Sequence, residues 1–258
     1  MIDTSFDFRT DANGKDPDSY SPTLKNYHKL LWSKPLPSGE LFKLYDASNG
    51  RYLRFNGSLK QHFLSSDSIT NSYSLRKGTI SSLINKIDPK VLEHFRTVNS
   101  TIGSFILFPS NKIDKKHTIN VERGFNKLIA DRFDLSLECI RRFYLQIDSP
   151  LQDVLERYKT FFELFGDFKG YVDFFLLNDL VDTTFAQINF FLPAEDLFAN
   201  SPLPTSEDSY MSYYKNSTKF SLARNQRIAE WVKENTLSNR FVWTSTQGLT
   251  IISKGRMD

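Results

Sequence analysis

Apolar positions recur at helical spacing over residues 123–144, RGFNKLIADRFDLSLECIRRFY. At about 100° per residue, Phe125, Leu128, Ile129, Leu135, Cys139, Ile140, Phe143 and Tyr144 fall on one broad arc. Arg123, Lys127, Asp131, Asp134, Glu138, Arg141 and Arg142 fall on the opposite one. The pattern predicts one long helix, sunk into a core on its apolar side. Its other face would be solvated, with charges three and four apart supporting one another. Arg132 breaks the pattern by standing among the apolar residues. A guanidinium keeps its charge, so a buried Arg132 needs acceptors. An internal carboxylate or free carbonyls would serve. So would a ligand phosphate or carboxylate held bidentately.

Around this stretch the period changes. Phe6 and Phe8, alternating with Asp7 and Arg9, predict a short edge strand. Ser21 followed by Pro22 predicts a capped helix start, with Leu24, Tyr27, Leu30 and Leu31 facing inward. Residues 41–46, 52–55 and 62–65 read as strands. Between them stand Asn49-Gly50 and Asn56-Gly57, both hairpin turn signals. Helices follow at 80–87 and 89–98, then a buried strand at 101–109. In the second half, 151–165 predicts an amphipathic helix, 171–181 a buried helix, 188–192 a strand and 207–234 a long helix. Residues 241–244 and 249–253 would close the chain as a hairpin. The fold class expected is α+β: a small antiparallel sheet in the N-terminal half, packed with a mainly helical C-terminal half in one domain, 1–258.

Composition adds limits. A chain of 258 residues can bury a substantial core, and its 23 Phe and 11 Tyr would supply much of it. The net charge of +3, from 33 basic and 30 acidic side chains, contains no dense basic block to argue for nucleic acid or a membrane surface. The lone Cys139 excludes a disulfide framework and a cysteine zinc site, and its wheel position suggests a small buried hydrophobe. The polar N-terminus lacks the apolar segment of a signal peptide. No run reaches the ~20 apolar residues of a membrane span. A cytoplasmic protein with no membrane partner is the expectation.

Three groups could carry chemistry. Ser65, Ser66, Asp67 and Ser68 cluster where a predicted strand ends. Such groups hold a phosphate or ribose, or simply cap local backbone, which is commoner. Among His28, His62, His94 and His117 no pair has metal-ligand spacing. His62, just ahead of the serines, is the most site-like. Arg224, with Asn225 beside it, falls on the inward side of the late helix. Arg132 and Arg224 would line one anionic pocket or pair with core acids such as Asp167, Asp173 or Asp179. No phosphate-binding glycine loop, dinucleotide fingerprint or nucleophile elbow occurs.

The segments KDPDSYSPTLKNYHKLLWSKPLPSGELF (15–42), FLSSDSITNSYS (63–74), TIGSFILFPSNKID (101–114), TINVERGFNKLIADRFDLSLECIRRFY (118–144), FFELFGDFKGYVDFFLLNDLV (161–181) and ARNQRIAEWVKEN (223–235) resemble the signatures of a bacterial domain family of unknown function. The resemblance spans nearly the whole chain. It implies one full-length intracellular domain and no particular activity. The strand-end serines, with separate arginine and carboxylate candidates, are also similar in part to ADP-ribosyltransferases. Those enzymes set a strand-borne His or Arg, a Ser-rich strand and a later Glu around NAD. That likeness points to His28 or His62, to Ser65 and Ser66, and to Glu138, although Glu138 is predicted on a helix rather than a strand.

Two functions remain in view. One is a transferase directed at a nucleotide or nucleic acid, of the toxin or phage-defence kind, with NAD as the implied cofactor. Its pocket would draw on Arg123, Asn126, Arg132, Arg224 and the Ser65–Ser68 cluster, with Glu138 and His62 as catalytic groups. Arginine would hold phosphate, serine would orient ribose, and Glu138 would polarise a hydroxyl. The other is a non-catalytic interaction protein, such as an antitoxin, inhibitor or assembly subunit, whose surplus aromatic residues face a protein partner. A nuclease would have to assemble its metal site from Asp131, Asp134 and Glu138.

Overall fold

Short runs carrying Leu and aromatic residues pair into one antiparallel sheet in the order β1 (Leu44–Asp46), β2 (Leu53–Asn56), β3 (Gln61–Ser68), β4 (Phe105–Pro109). The structure is a computed structural model and describes residues 2–48, 52–58, 60–74, 78–193 and 196–237. The fold is α+β, with the sheet in the N-terminal half and the C-terminal half mainly helical. β4 is wholly apolar and buried along its length, as expected for a strand covered on both faces. It pairs with β3 in the register Leu64↔Pro109 to Ser68↔Phe105, so the serine cluster lies within a paired strand rather than beyond its end.

Helix starts follow their caps. Before the sheet come α1 (Pro17–Tyr20) and α2 (Pro22–Trp32). Ser21 caps α2 by accepting from Leu24 N, with Pro22 at the first turn. Between β3 and β4 lie α3 (Thr79–Ile84) and α4 (Pro89–Asn99), the latter capped by Asp88. After β4 come α5 (Ile119–Phe125), α6 (Phe133–Tyr144), α7 (Gln152–Arg157), α8 (Lys159–Phe162) and α9 (Phe168–Phe174), and finally α10 (Glu207–Leu237).

Several expectations are corrected. Phe6 and Phe8 do not form an edge strand; residues Phe8–Thr10 make a 3-10 turn whose start the Asp7 side chain caps. The amphipathic stretch 151–165 breaks into α7, α8 and a 3-10 turn, and 171–181 divides between α9 and a 3-10 turn. Residues 188–192 form no strand; Ile188 makes only an isolated bridge to Val181. The hairpin expected at 241–253 and the turn at Asn49-Gly50 lie outside the described residues. Among the described helices, none is long and apolar enough to cross a membrane.

The late helix α10 is the main brace. Tyr210, Tyr213, Ser217, Phe220, Ser221, Arg224 and Ile228 recur at three- and four-residue spacing and are buried. The seam is made of small residues. Ser104 Oγ donates to Ser221 Oγ at 2.8 Å, and Gly103 N donates to Asn225 Oδ1 at 2.7 Å. The backbones approach so closely that a Cβ on Gly103 would stand 2.3 Å from Ser221 O. Arg224 is fully buried and meets no carboxylate. Its Nη1 donates to Gly103 O (3.0 Å) and Phe105 O (2.7 Å), and its Nε and Nη2 both donate to Phe175 O. Burial pulls down its proton affinity, but a guanidinium cradled by carbonyls keeps its charge.

Arg224 therefore locks α10 to the start of β4 and to the end of α9. Arg224→Lys supplies three donors without the planar fork, and carbonyls lose partners in the core. The expected loss is about 2 kcal/mol or more in urea unfolding. Gly103→Ala should lose about 1–3 kcal/mol through overpacking. Wild-type unfolding midpoints for both variants would show that this seam is not a brace.

Candidate functional site

The predicted long helix 123–144 breaks in the middle, and the break builds the site. α5 ends at Phe125, and Asn126 Oδ1 turns back to accept from Leu128 N at 3.0 Å, competing with helix continuation. Ala130 and Asp131 then adopt left-handed backbone, φ 49° and 65°, before α6 begins at Phe133. Non-glycine residues enter that region only when their surroundings compensate. Here Asp131 N donates to Arg123 O (3.0 Å), and Asp131 Oδ2 accepts from Asn71 Nδ2 (2.9 Å). On the facing loop Tyr73 is also left-handed (φ 56°), and its hydroxyl donates to Ala130 O at 3.1 Å.

Arg123 is the centre of this assembly. It is fully buried between the Phe108 and Phe133 rings, at 5.6 and 5.5 Å. Its Nη1 pairs with Asp67 Oδ2, Nη2 donates to Ser68 O at 3.3 Å, Nε donates to Ser136 Oγ at 2.8 Å, and Asp131 Oδ1 lies 3.8 Å away. These groups close one wall of a cleft of about 1020 Å³. Asp16, Asp18, Asp67 and Asp131 line it together with Ser68, Thr70, Asn71, Ser72 and Ser74. Arg9, Arg96, Lys127 and Phe125 also face it.

The cleft holds more acid than its one buried cation can neutralise. Burial pushes the Asp67 carboxyl up to about 7. Arg123 pulls against that shift, while Asp131 and Asp16 add to it. The Asp18 carboxyl is held well above the carboxylate range by burial and by Asp67. Ser68 Oγ donates to Asp18 Oδ2 at 3.3 Å, while Asp18 Oδ1 is closed from solvent without a well-aligned partner. Behind Asp18 runs a polar chain into the core. Trp32 Nε1 donates to His28 Nδ1 (2.9 Å), which leaves the ring proton on Nε2 to donate to Ser66 Oγ (3.0 Å). The Ser66 hydroxyl in turn lowers the Asp18 proton affinity.

Not every residue expected at the site is there. Of the serine cluster, Asp67 and Ser68 line the cleft, Ser66 stands behind Asp18, and Ser65 Oγ accepts from Asn120 Nδ2 at 3.1 Å. Arg132 is buried as expected but locked onto Asp134, two residues along. It also donates to Pro202 O (3.0 Å) and Leu192 O (3.2 Å), clamping that loop beside a separate cavity of about 470 Å³. Arg224 belongs to the α10 seam. Asn126 Nδ2 donates to Pro150 O at 3.1 Å.

Neither expected catalytic residue reaches the cleft. Glu138, placed by the wheel on a solvated face, is 3% exposed. Arg141 Nε (2.8 Å) and Nη2 (3.0 Å) and Arg142 Nε (2.8 Å) hold its oxygens. Asp134 is likewise buried, because each acid on α6 carries a guanidinium with it. His62 is buried between the Phe55 and Phe161 rings, and burial pushes its proton affinity down to about 4. Cys139 is buried, and burial raises its thiol to about 12. The sequence pattern does not single out Asp18, Asn71 or Arg96, and it sets Asp131 on a solvated helix face, with a role only in a nuclease metal site. Asp18 lies in DPDSYSP, where an Asp next to a helix start ordinarily reads as a cap. Among the described residues no group of three or more His, Cys, Asp or Glu side chains is placed to hold a metal ion.

Residues 2–228 match the Family of unknown function (DUF6994). No curated protein and no solved structure matches the chain.

The raised carboxyls have a consequence for stability. A folded-state carboxyl above its unfolded value of ~3.9 binds protons more tightly than in the unfolded chain. Its contribution is fully present near pH 4 and is lost as pH rises through about 7, where Asp67 titrates. Asp18→Asn, which mimics the protonated form, should flatten this decline in unfolding midpoints taken at pH 4.5, 6 and 7.5. Parallel profiles for the two proteins would mean that no proton is shared in the cleft.

Proposed function

The chain belongs to that family, whose function is not established, and from the cleft itself we propose a transferase directed at a nucleotide, acting at the ribosyl carbon. The observation that carries this reading is the pair Asp18 and Asp67: two carboxyls with raised proton affinities that face one cleft, Asp67 being paired with the buried Arg123. Carboxyls whose proton affinity burial has raised suit acid–base work near neutral pH. The ionised carboxylate stabilises positive charge developing at a sugar carbon and then takes the proton of the attacking hydroxyl, while the protonated carboxyl donates a hydrogen bond to the ligand. The cleft wall of Ser68, Thr70, Asn71, Ser72 and Ser74 offers donors and acceptors to sugar hydroxyls. Lys127 offers charge to phosphate; Arg9 and Arg96 also line the cleft, but are paired with Asp7 and Glu93.

The residues differ from those the partial likeness to ADP-ribosyltransferases named. Asp18 and Asp67 take the roles assigned to Glu138 and His62; His62 lies on the serine strand but packs between Phe55 and Phe161, and His28 is the histidine bonded to Ser66. NAD remains the first substrate to test. The interaction-protein reading has less support. Of the described phenylalanines only Phe125 is exposed, so the aromatic surplus fills the core instead of facing a partner.

The test is thermal shift with NAD, ATP and a short RNA, followed by release of nicotinamide from NAD. Stabilisation by NAD and turnover that falls about 100-fold or more in Asp18→Asn is the expected result. Glu138→Gln should leave the ligand response unchanged once corrected for stability. If none of the three ligands raises the melting temperature, the cleft is not a nucleotide site.

A further inference from the structure

Phe125 is out of keeping with the rest of the chain. It is 75% exposed, in a protein that buries or half-buries every other described phenylalanine. It also lines the cleft, beside Lys127. Its ring is not loose. His117 stacks on it, with centroids 5.6 Å apart and planes inclined by 23°. His117 is fixed in turn: its Nδ1 lies 3.3 Å from Glu122 Oε2, and its carbonyl accepts from Arg157 Nη2 at 2.9 Å. Phe125 sits at the last position of α5, one turn or less from Arg123, so the helix that centres the acid cluster also presents this ring. An apolar ring held rigidly in water costs free energy unless a flat partner covers it.

We propose that Phe125, backed by His117, is a stacking platform for a nucleobase whose ribose and phosphate occupy the same cleft. This rests on the reading of the cleft as a nucleotide site and adds which end of the ligand lies at the lip. The chemistry of the lining supports it. Carboxyls and hydroxyls line the half-buried wall, where a ribose needs partners. Lys127 offers a cation to a phosphate, and Arg9 and Arg96, paired with Asp7 and Glu93, also line the cleft. Lys127 is exposed and makes no ion pair among the described residues. A sugar phosphate without a base would leave the Phe125 face bare. The volume of about 1020 Å³ is ample for a ligand of nucleotide size.

The experiment is calorimetric titration of the full chain with ribose 5-phosphate and with AMP, which differ by the adenine. Wild type should bind AMP about tenfold more tightly than ribose 5-phosphate, since base stacking on an aromatic side chain contributes on that order. Phe125→Ala should bring AMP down to the affinity of ribose 5-phosphate and leave the latter unchanged. Phe125→Trp should keep the preference. Phe125 is exposed, so these variants keep the core intact. Equal affinities in wild type, or an AMP preference that survives Phe125→Ala, would overturn the platform while leaving the sugar-phosphate site standing. Binding of neither probe would overturn the nucleotide reading and the platform together.

Discussion

A guanidinium removed from water must be met by acceptors on every side, and the architecture turns on how one such group is met. Arg123 reaches Asp67 and Ser68 on β3, Ser136 on α6 and Asp131 in the break between α5 and α6. Those elements are distant in sequence, and the side chain fixes their relative placement. Desolvating the cation is costly, so the acids must come with it. The acids then set the electrostatics of the cleft. Asp67 and Asp131 approach Arg123, while Asp18 has hydroxyls as its hydrogen-bond partners and feels the charges of Asp67 and Asp16. One fixed positive charge among these carboxyls leaves an excess of negative charge in a poorly hydrated place. Retaining a proton relieves that excess, and the cleft gains acid–base capacity from the same imbalance.

The other two buried arginines show that such burial need not make a site. Arg132 and Asp134 neutralise one another within two residues, and their remaining bonds go to loop carbonyls and to Phe191 N. Arg224 has no acid at all and spreads its charge over three carbonyls and the Trp32 ring. Both are saturated by their partners, Arg224 within the core and Arg132 beside the smaller cavity that it lines. What separates Arg123 is the number of acids gathered around it and their position on a cleft wall. Left-handed Tyr73, Ala130 and Asp131 meet there as well, joined by the Tyr73–Ala130 and Asn71–Asp131 bonds. Strained backbone of this kind persists where tertiary bonds impose it, and such places cluster at functional sites.

Much of the fold was legible from local rules. Ser21-Pro22 and Asp88-Pro89 mark helix starts because capping and the fixed proline φ act over a few residues. The late helix was legible from its three- and four-residue apolar spacing. The break at 126–132 was not, because a wheel carries its phase through any stretch with enough apolar residues. Asn126 and the left-handed Ala130 and Asp131 reset that phase through bonds to Asn71, Tyr73 and Arg123, two of them over fifty residues away. The same reset turned Asp134 and Glu138 inward. The burial of Arg132 was anticipated correctly, but its partner was not, since an acid two residues along is on no common helical face. The serine cluster was found, yet its acidic neighbours came from α1 and from the break: Asp18 looks like an ordinary cap residue, and Asp131 like part of a solvated helix face.

The chain of polar groups behind Asp18 decides which kind of proton chemistry the cleft can support. A histidine beside a serine and an acid suggests a base that activates a hydroxyl. Here the direction is reversed. Trp32 donates to Nδ1, so the Nε2 proton of His28 points at Ser66 and the ring has no lone pair left for it. Burial, and then the charge of Arg224, push the imidazole down to about 3, so it stays neutral in ordinary buffer. His28 can orient the Ser66 hydroxyl, but it can neither take that proton nor carry charge. The hydroxyl is thereby aimed at Asp18, where it favours the ionised carboxyl against the burial that opposes it. The core supplies direction and the carboxyls supply protons, which confines acid–base work to the Asp18 and Asp67 side of the cleft.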